Sequence, residues 1–278
     1  MKIAVLSGKG GAGKTLTAVN LAVSAEDAVY MDCDVEEPNG NLFFKSQTMQ
    51  SRQVYTGIPD FVKEKCTGCR ACVDFCRFHA LLFIKGMPKV FQEACHACGG
   101  CALVCQNQAV VEKKRPIGKV DIGFHNQVQV VTGTLNLGEA SAVPVIHQVL
   151  EEAGDKEKTI IVDCPPGSAC SVMESITDVD YCLLVAEPTA FGFHNFTMVH
   201  ELAVLLGKPC GVVINKYEEP YQPLEKYCED KGLPILLRLP YDERIASCVS
   251  TGEILVEKLP EYRIEFQELL RDIGGACL

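Results

Sequence analysis

Eight cysteines fall into two ladders of identical spacing, Cys66, Cys69, Cys72, Cys76 and Cys95, Cys98, Cys101, Cys105. Each reads C-x2-C-x2-C-x3-C, a run whose thiolates ligate iron–sulfur clusters. Three thiols at x2 spacing on one tight loop can reach three iron corners of a cubane, and a fourth must come from elsewhere. Zinc usually takes two separated C-x2-C knuckles, so the duplicated ladder favours iron. Upstream, Gly8-Lys9-Gly10-Gly11-Ala12-Gly13-Lys14-Thr15 fills every fixed position of a phosphate-binding loop. Glycines let backbone N–H groups turn toward phosphates, and a helix starting near Gly13 presents its positive end. Lys14 adds a point charge, and the Thr15 hydroxyl can ligate Mg²⁺. One chain therefore carries the chemistry of an electron carrier and of an NTP-binding protein.

These residues need a scaffold. Ile3–Leu6 reads as a short buried strand, followed by the glycine loop and a helix from about Lys14 to Ser24. Ala28–Asp34 is a second strand ending in two aspartates. Val128–Thr132, Ile160–Asp163, Tyr181–Ala186, Gly211–Asn215 and Ile235–Leu239 are further apolar strands, with helices expected over Ala140–Glu152, His194–Leu206 and Glu261–Ile273. Apolar strands alternating with helices predict an α/β fold: a mostly parallel sheet covered on both faces. The pattern breaks near Gly57-Ile58-Pro59 and resumes at Arg115-Pro116. Between them the two ladders repeat at a spacing of 29 residues, Cys66 to Cys95 and Cys76 to Cys105. The expected organisation is a discontinuous NTP-binding domain, 1–57 and 116–278, with a cysteine-rich domain inserted over 58–115.

Composition narrows the function classes. The 278 residues are 47% hydrophobic and 22% charged, ordinary globular material. Lys and Arg total 26 against 36 Asp and Glu, a net charge of −10 that disfavours nucleic acid as a partner. No apolar run approaches the roughly 18 residues of a membrane span. Met1-Lys2 runs straight into the first strand without a signal peptide, so a cytoplasmic location is expected. Sixteen cysteines there point to metal or redox roles before disulfides. Several of the eight outside the ladders, such as Cys182 and Cys210, sit in apolar strands and read as core residues. Cys164 and Cys170, near the aspartate of the Ile160–Asp163 strand, leave a redox or metal role open, with a buried thiol the plainer reading of Cys170.

The K-G-G-x-G-K-T loop, with Lys9 at its first position, resembles the deviant Walker A motif of the MinD/ParA/Mrp ATPases and the nitrogenase iron protein. Asp32-Cys33-Asp34 is similar to the family's first switch, and Asp163-Cys164-Pro165-Pro166-Gly167 to the second switch of its Mrp branch. The resemblance implies ATP, ADP and Mg²⁺ as ligands and a nucleotide-dependent homodimer. Lys9 would reach the phosphates held by the other subunit, Asp34 would orient the attacking water, and Thr15, Asp34 and Asp163 would serve Mg²⁺. Gly8 to Thr15 together with Thr17 would hold the phosphates, and Asn215, Lys216, Pro240 and Asp242 the base. For Asp32 a structural acceptor role is the milder reading. The segment 58–115 resembles a bacterial two-cluster ferredoxin, an α+β domain in which each ladder lends its fourth cysteine to the other cluster. That implies one 4Fe–4S cluster on Cys66, Cys69, Cys72 and Cys105, and another on Cys95, Cys98, Cys101 and Cys76. The proline usual after the fourth cysteine is replaced by Arg77 and Gln106.

The leading expectation is an ATPase whose nucleotide state gates electron transfer through two clusters to a redox partner protein. An iron–sulfur carrier that delivers clusters to an acceptor, as the Mrp resemblance suggests, is the alternative. A positioning ATPase of the MinD/ParA kind is the third reading, although the Glu-rich closing helix (Glu261, Glu265, Glu268) is unlike a basic membrane anchor.

Overall fold

A computed structural model of the chain describes residues 1–25, 27–154 and 158–277. The elements run β1 (Lys2–Leu6), α1 (Lys14–Ser24), β2 (Ala28–Asp32), α2 (Gly40–Phe44), β3 (Gln47–Phe61), α3 (Ala71–Phe75), β4 (Leu81–Ile84), β5 (Met87–Val90), α4 (Gly100–Leu103), β6 (Val110–His125) and β7 (Val128–Leu135). The second half continues with α5 (Val143–Glu151), β8 (Thr159–Asp163), α6 (Cys170–Ile176), β9 (Tyr181–Ala186), α7 (Ala190–Leu205), β10 (Cys210–Tyr217), α8 (Gln222–Lys231), β11 (Ile235–Pro240), α9 (Glu243–Thr251), α10 (Leu255–Lys258) and α11 (Pro260–Ala276).

Nine strands form one sheet in the order β11-β10-β9-β1-β8-β2-β7-β6-β3. The run from β11 to β7 is parallel, and β6 and β3 close the edge antiparallel. Side chains alternate faces along each strand, so β1 sends Ala4 and Leu6 into one core and Ile3 and Val5 into the other. The first core is sealed by α5 (Ile146, Val149), α6 (Val172, Ile176) and α7 (Phe196, Val199). The second is sealed by α1 (Leu16, Leu21), α9 (Ile245) and α11 (Phe266, Leu269). The mostly parallel sheet with helices on both faces is as the sequence predicts.

The ladder between β3 and β6 is not legible in the sequence. It pairs Gln47 with Phe124 at one end and Phe61 with Val110 at the other, crossing the expected boundaries at 57/58 and 115/116. Its outer residues are polar and exposed (Gln53, Lys113, Lys114), so no apolar run marks it. The cysteine-bearing segment grows from the far end of this ribbon and holds α3, α4 and the two-stranded sheet of β4 and β5.

Candidate nucleotide cleft and cysteine cavities

The glycine loop connects β1 to α1. Gly13 takes a left-handed conformation (φ 101°) as the residue before α1, and a Cβ there would lie 2.0 Å from Asn215 Nδ2. Only glycine fits both demands. Gly8 lies against α7, where a Cβ would come within 2.2 Å of the Asn195 carbonyl oxygen. These contacts fix the loop's course from β1 into α1.

Lys14 is buried, and its Nζ lies 2.6 Å from Asp163 Oδ1 and 3.4 Å from Asp34 Oδ2. Burial opposes its charge, but Asp163 and Asp34 outweigh burial and hold its pKa above the ordinary lysine value. Asp163 also accepts a 2.8 Å hydrogen bond from the Tyr30 hydroxyl. Asp32 is fully buried and accepts from the backbone N–H of Asp34 (3.2 Å) and Gly40 (2.9 Å), a structural role that shapes the loop after β2. Burial first, then the Asp163 charge, push its carboxyl up to about 8. Burial also raises Asp34, against the pull of Lys14.

A cleft of about 670 Å³ opens above these groups. Ser7, Lys9, Gly10, Gly11, Gly13, Lys14, Thr15 and Asp34 line it, together with Pro165, Pro166, Asn215 and Lys216. Its volume lies within the range of small-molecule sites. Asn215 donates to the Ala12 carbonyl (2.9 Å) and Lys216 to that of Gly11 (3.2 Å), so both brace the loop as well as line the cleft. Thr17 is buried and its hydroxyl donates to the Gly13 carbonyl, 3.0 Å away. Pro240 and Asp242 do not line the cleft, and Asp242 caps α9 by accepting from the Arg244 N–H.

Glu187, unmarked in the sequence reading, pairs with Lys9 and, at 3.0 Å, with Lys216. Burial opposes its ionisation, but the two lysines hold its pKa below the ordinary glutamate value. The available signal was its place at the carboxyl end of the apolar strand Tyr181–Ala186, where α/β sheets gather their ligands.

In the cysteine segment the backbone repeats with the sequence. Left-handed residues recur at 29-residue spacing: Gly68 and Ala97, Arg70 and Gly99, His79 and Gln108. The hydrogen bonds recur too, Cys76 N to Val73 O and Cys105 N to Ala102 O, both 3.2 Å. The eight thiols surround two cavities. One is lined by Cys66, Cys69, Cys72 and Cys105. The other is lined by Cys95, Cys98, Cys101 and Cys76, with Phe75, Phe78 and His96. Each cavity thus takes three cysteines from one ladder and the fourth from the other. Among the described residues, no three of His, Cys, Asp and Glu are gathered closely enough to hold a single metal ion.

The remaining sequence candidates are thiols beside the cleft. Cys164 is buried behind Asp163, and burial raises its pKa above the thiol norm. Cys170 is exposed at the start of α6. Among the described residues, no helix is long and apolar enough to cross a membrane.

Fold and cleft together define a P-loop nucleotide-binding protein with a parallel sheet. The CobQ/CobB/MinD/ParA nucleotide binding domain family matches residues 3–256, and the chain belongs to that family of ATPases. An uncharacterized protein of Methanocaldococcus jannaschii is 31% identical over 278 residues, covering 94% of this chain and 97% of its own. The septum site-determining protein MinD of Synechocystis is 24% identical over 98% of this chain and 89% of its own. Among solved structures, MinD of Pyrococcus horikoshii complexed with Mg-ADP superposes with a TM-score of 0.61 at 18% identity, covering 100% of this chain and 98% of that one. Pyrococcus furiosus MinD gives 0.59 at 20% identity over 99% and 98% of the two chains.

Proposed function

We propose that this protein is an ATP-driven switch whose nucleotide state governs electron transfer through two 4Fe–4S clusters held by the inserted segment. The observation that carries the reading is the crossed grouping of thiols, three from one ladder and one from the other around each cavity. The donor set fits the group: four cysteine sulfurs per cavity, without a competing histidine or carboxylate at the ladder positions. When bound, such clusters supply one-electron transfer. The chain's own residues would fix their position and exclude water, with Phe75 and Phe78 beside one cavity. The Ala109 N–H, 3.3 Å from Cys105 Sγ, donates to a ligand sulfur and would tune the potential of the other.

At the cleft, Lys14 and the loop N–H groups would hold the β- and γ-phosphates, Thr15 and Asp163 would serve Mg²⁺, and Asp34 would orient the attacking water. Lys9 would contact phosphates across a homodimer. Coupling has a physical route. Val35, next to Asp34, accepts from the Leu135 N–H at 2.8 Å, and Asn136 N–H donates to Ile117 on β6, also at 2.8 Å. β6 begins at Val110, among the residues lining both cavities. Movement of the segment after β2 on γ-phosphate loss would therefore reach the cysteines through β7 and β6. The test is the rate of electron transfer from the reduced protein to a one-electron dye, with Mg-ATP and with Mg-ADP. A rate that differs between nucleotides is expected, and an identical rate contradicts the coupling.

The comparisons favour a second reading more directly, that of a positioning ATPase. The Synechocystis relative and the two solved folds are septum-site and cell division proteins. ATP-dependent co-sedimentation with anionic lipid vesicles would support that reading, and its absence would leave the redox function as the stronger one. Delivery of clusters to an apo-acceptor would instead mark a carrier, and retention of all iron against such an acceptor counts against it.

A further inference from the structure

Cys182 and Cys210 belong to neither cavity, and the cleft chemistry does not use them. They are direct partners in the parallel ladder between β9 and β10. Neighbouring strands lie about 4.8 Å apart, inside the Cα separation that a disulfide accepts. Side chains of ladder partners leave the sheet on the same face. Cys182 lies in the core against which Cys210 packs, and the Cys210 thiol reaches the Lys208 carbonyl oxygen at 3.3 Å. Cys182 is fully buried while Cys210 is half-buried, so only one sulfur of the pair is open to a small reagent.

We propose that Cys210 and Cys182 form a redox-active dithiol, with Cys210 the attacking and Cys182 the resolving sulfur, oxidised by hydroperoxides. The Cys210 thiolate attacks one peroxide oxygen, the O–O bond breaks, and the departing hydroxide takes up a proton to leave as water. Cys210 is then a sulfenic acid. The Cys182 sulfur attacks the Cys210 sulfur, the S–O bond breaks, and a second water leaves with the Cys182 proton. Two thiols have lost two electrons, and the peroxide has gained them. The neighbouring Cys182 thiol holds the Cys210 pKa below the thiol norm, although burial works the other way. β9 leads into Glu187 and β10 carries Asn215 and Lys216 near its end, the residues that brace Lys9 and the glycine loop. A disulfide would therefore tie together the bases of the strands that support one side of the cleft.

The site is tested on the full-length protein by treatment with hydrogen peroxide, cleavage after glutamate and mass spectrometry. Cleavage at Glu187 and Glu201 puts the two cysteines on separate peptides. The expected product is a Cys182–Cys210 linked pair that returns to two peptides on reduction. Before oxidation, Cys210 should alkylate about tenfold faster than buried Cys228. In Cys182→Ser, Cys210 should stop at a sulfenic acid that a diketone probe captures. Cys182 and Cys210 recovered as free thiols after the peroxide has oxidised exposed Cys277 would overturn the proposal. So would Cys210 alkylating no faster than Cys228, a measurement on the unaltered chain that needs no variant to fold.

Discussion

At the residue scale, the cleft is a buried charge cluster in which one lysine faces three carboxylates. Lys14 contacts Asp163 and Asp34, and Asp32 lies close enough to add to its charge stabilisation. Lys14→Met leaves Asp163 buried without its cation, so unfolding free energy should fall by about 3–5 kcal/mol. Urea denaturation measures the loss, and ATP titration should show binding lost with it. Asp32 sets a pH dependence. Its carboxyl titrates near 8 in the folded chain and near the ordinary value of about 3.9 when unfolded. Between those values the folded state holds more protons, so this group's contribution falls as pH rises from about 4 to about 8. Asp32→Asn should flatten that slope in unfolding measured across the range. It should also cost about 1–3 kcal/mol, because the N–H groups of Asp34 and Gly40 meet different oxygens of Asp32 and in the amide one of these becomes a donor. Lys14 was legible as a cleft residue because a strand, a glycine loop and a helix order it locally, and Lys9 and Asp34 through the family resemblance. Glu187 was not, because its partners lie more than a hundred residues away or across a strand.

At the element scale, the end of β7 is where the cleft meets the rest of the sheet. Gly133 on β7 faces Val35 and Val149, and a Cβ there would come within 2.5 Å of Val35 Cγ1 and 2.7 Å of Val149 Cγ2. Gly133→Ala should cost about 1–3 kcal/mol through overpacking. Because the displaced Val35 adjoins Asp34, ATP hydrolysis should fall more than ATP binding does, which turnover and nucleotide titration separate. The parallel strands were legible because burial on both faces makes them continuously apolar, as in Tyr181–Ala186. The β3–β6 ribbon was not. One side of this edge pair meets solvent, and its polar residues mimic a linker in sequence.

At the scale of the whole molecule, the proposed function puts two chemistries on one chain, and the crossed thiol sets are what would distinguish it from a plain nucleotide switch. Cys76→Ser should expose Cys95, Cys98 and Cys101 to alkylation while Cys66, Cys69 and Cys72 stay protected in the anaerobically reconstituted protein. Protection lost in the first ladder instead would mean that each ladder serves its own cluster. The pairing was legible only through resemblance to two-cluster ferredoxins. Spacing alone names three ligands per ladder and leaves the fourth open, while each cavity is lined by three cysteines of one ladder and one of the other. The central claim is tested most directly by the EPR spectrum of the anaerobically purified, dithionite-reduced protein, recorded with and without Mg-ATP. The account predicts two interacting reduced 4Fe–4S signals that change on adding Mg-ATP. No cluster signal after reconstitution would contradict it, and two signals indifferent to nucleotide would contradict the coupling between the cleft and the cysteines.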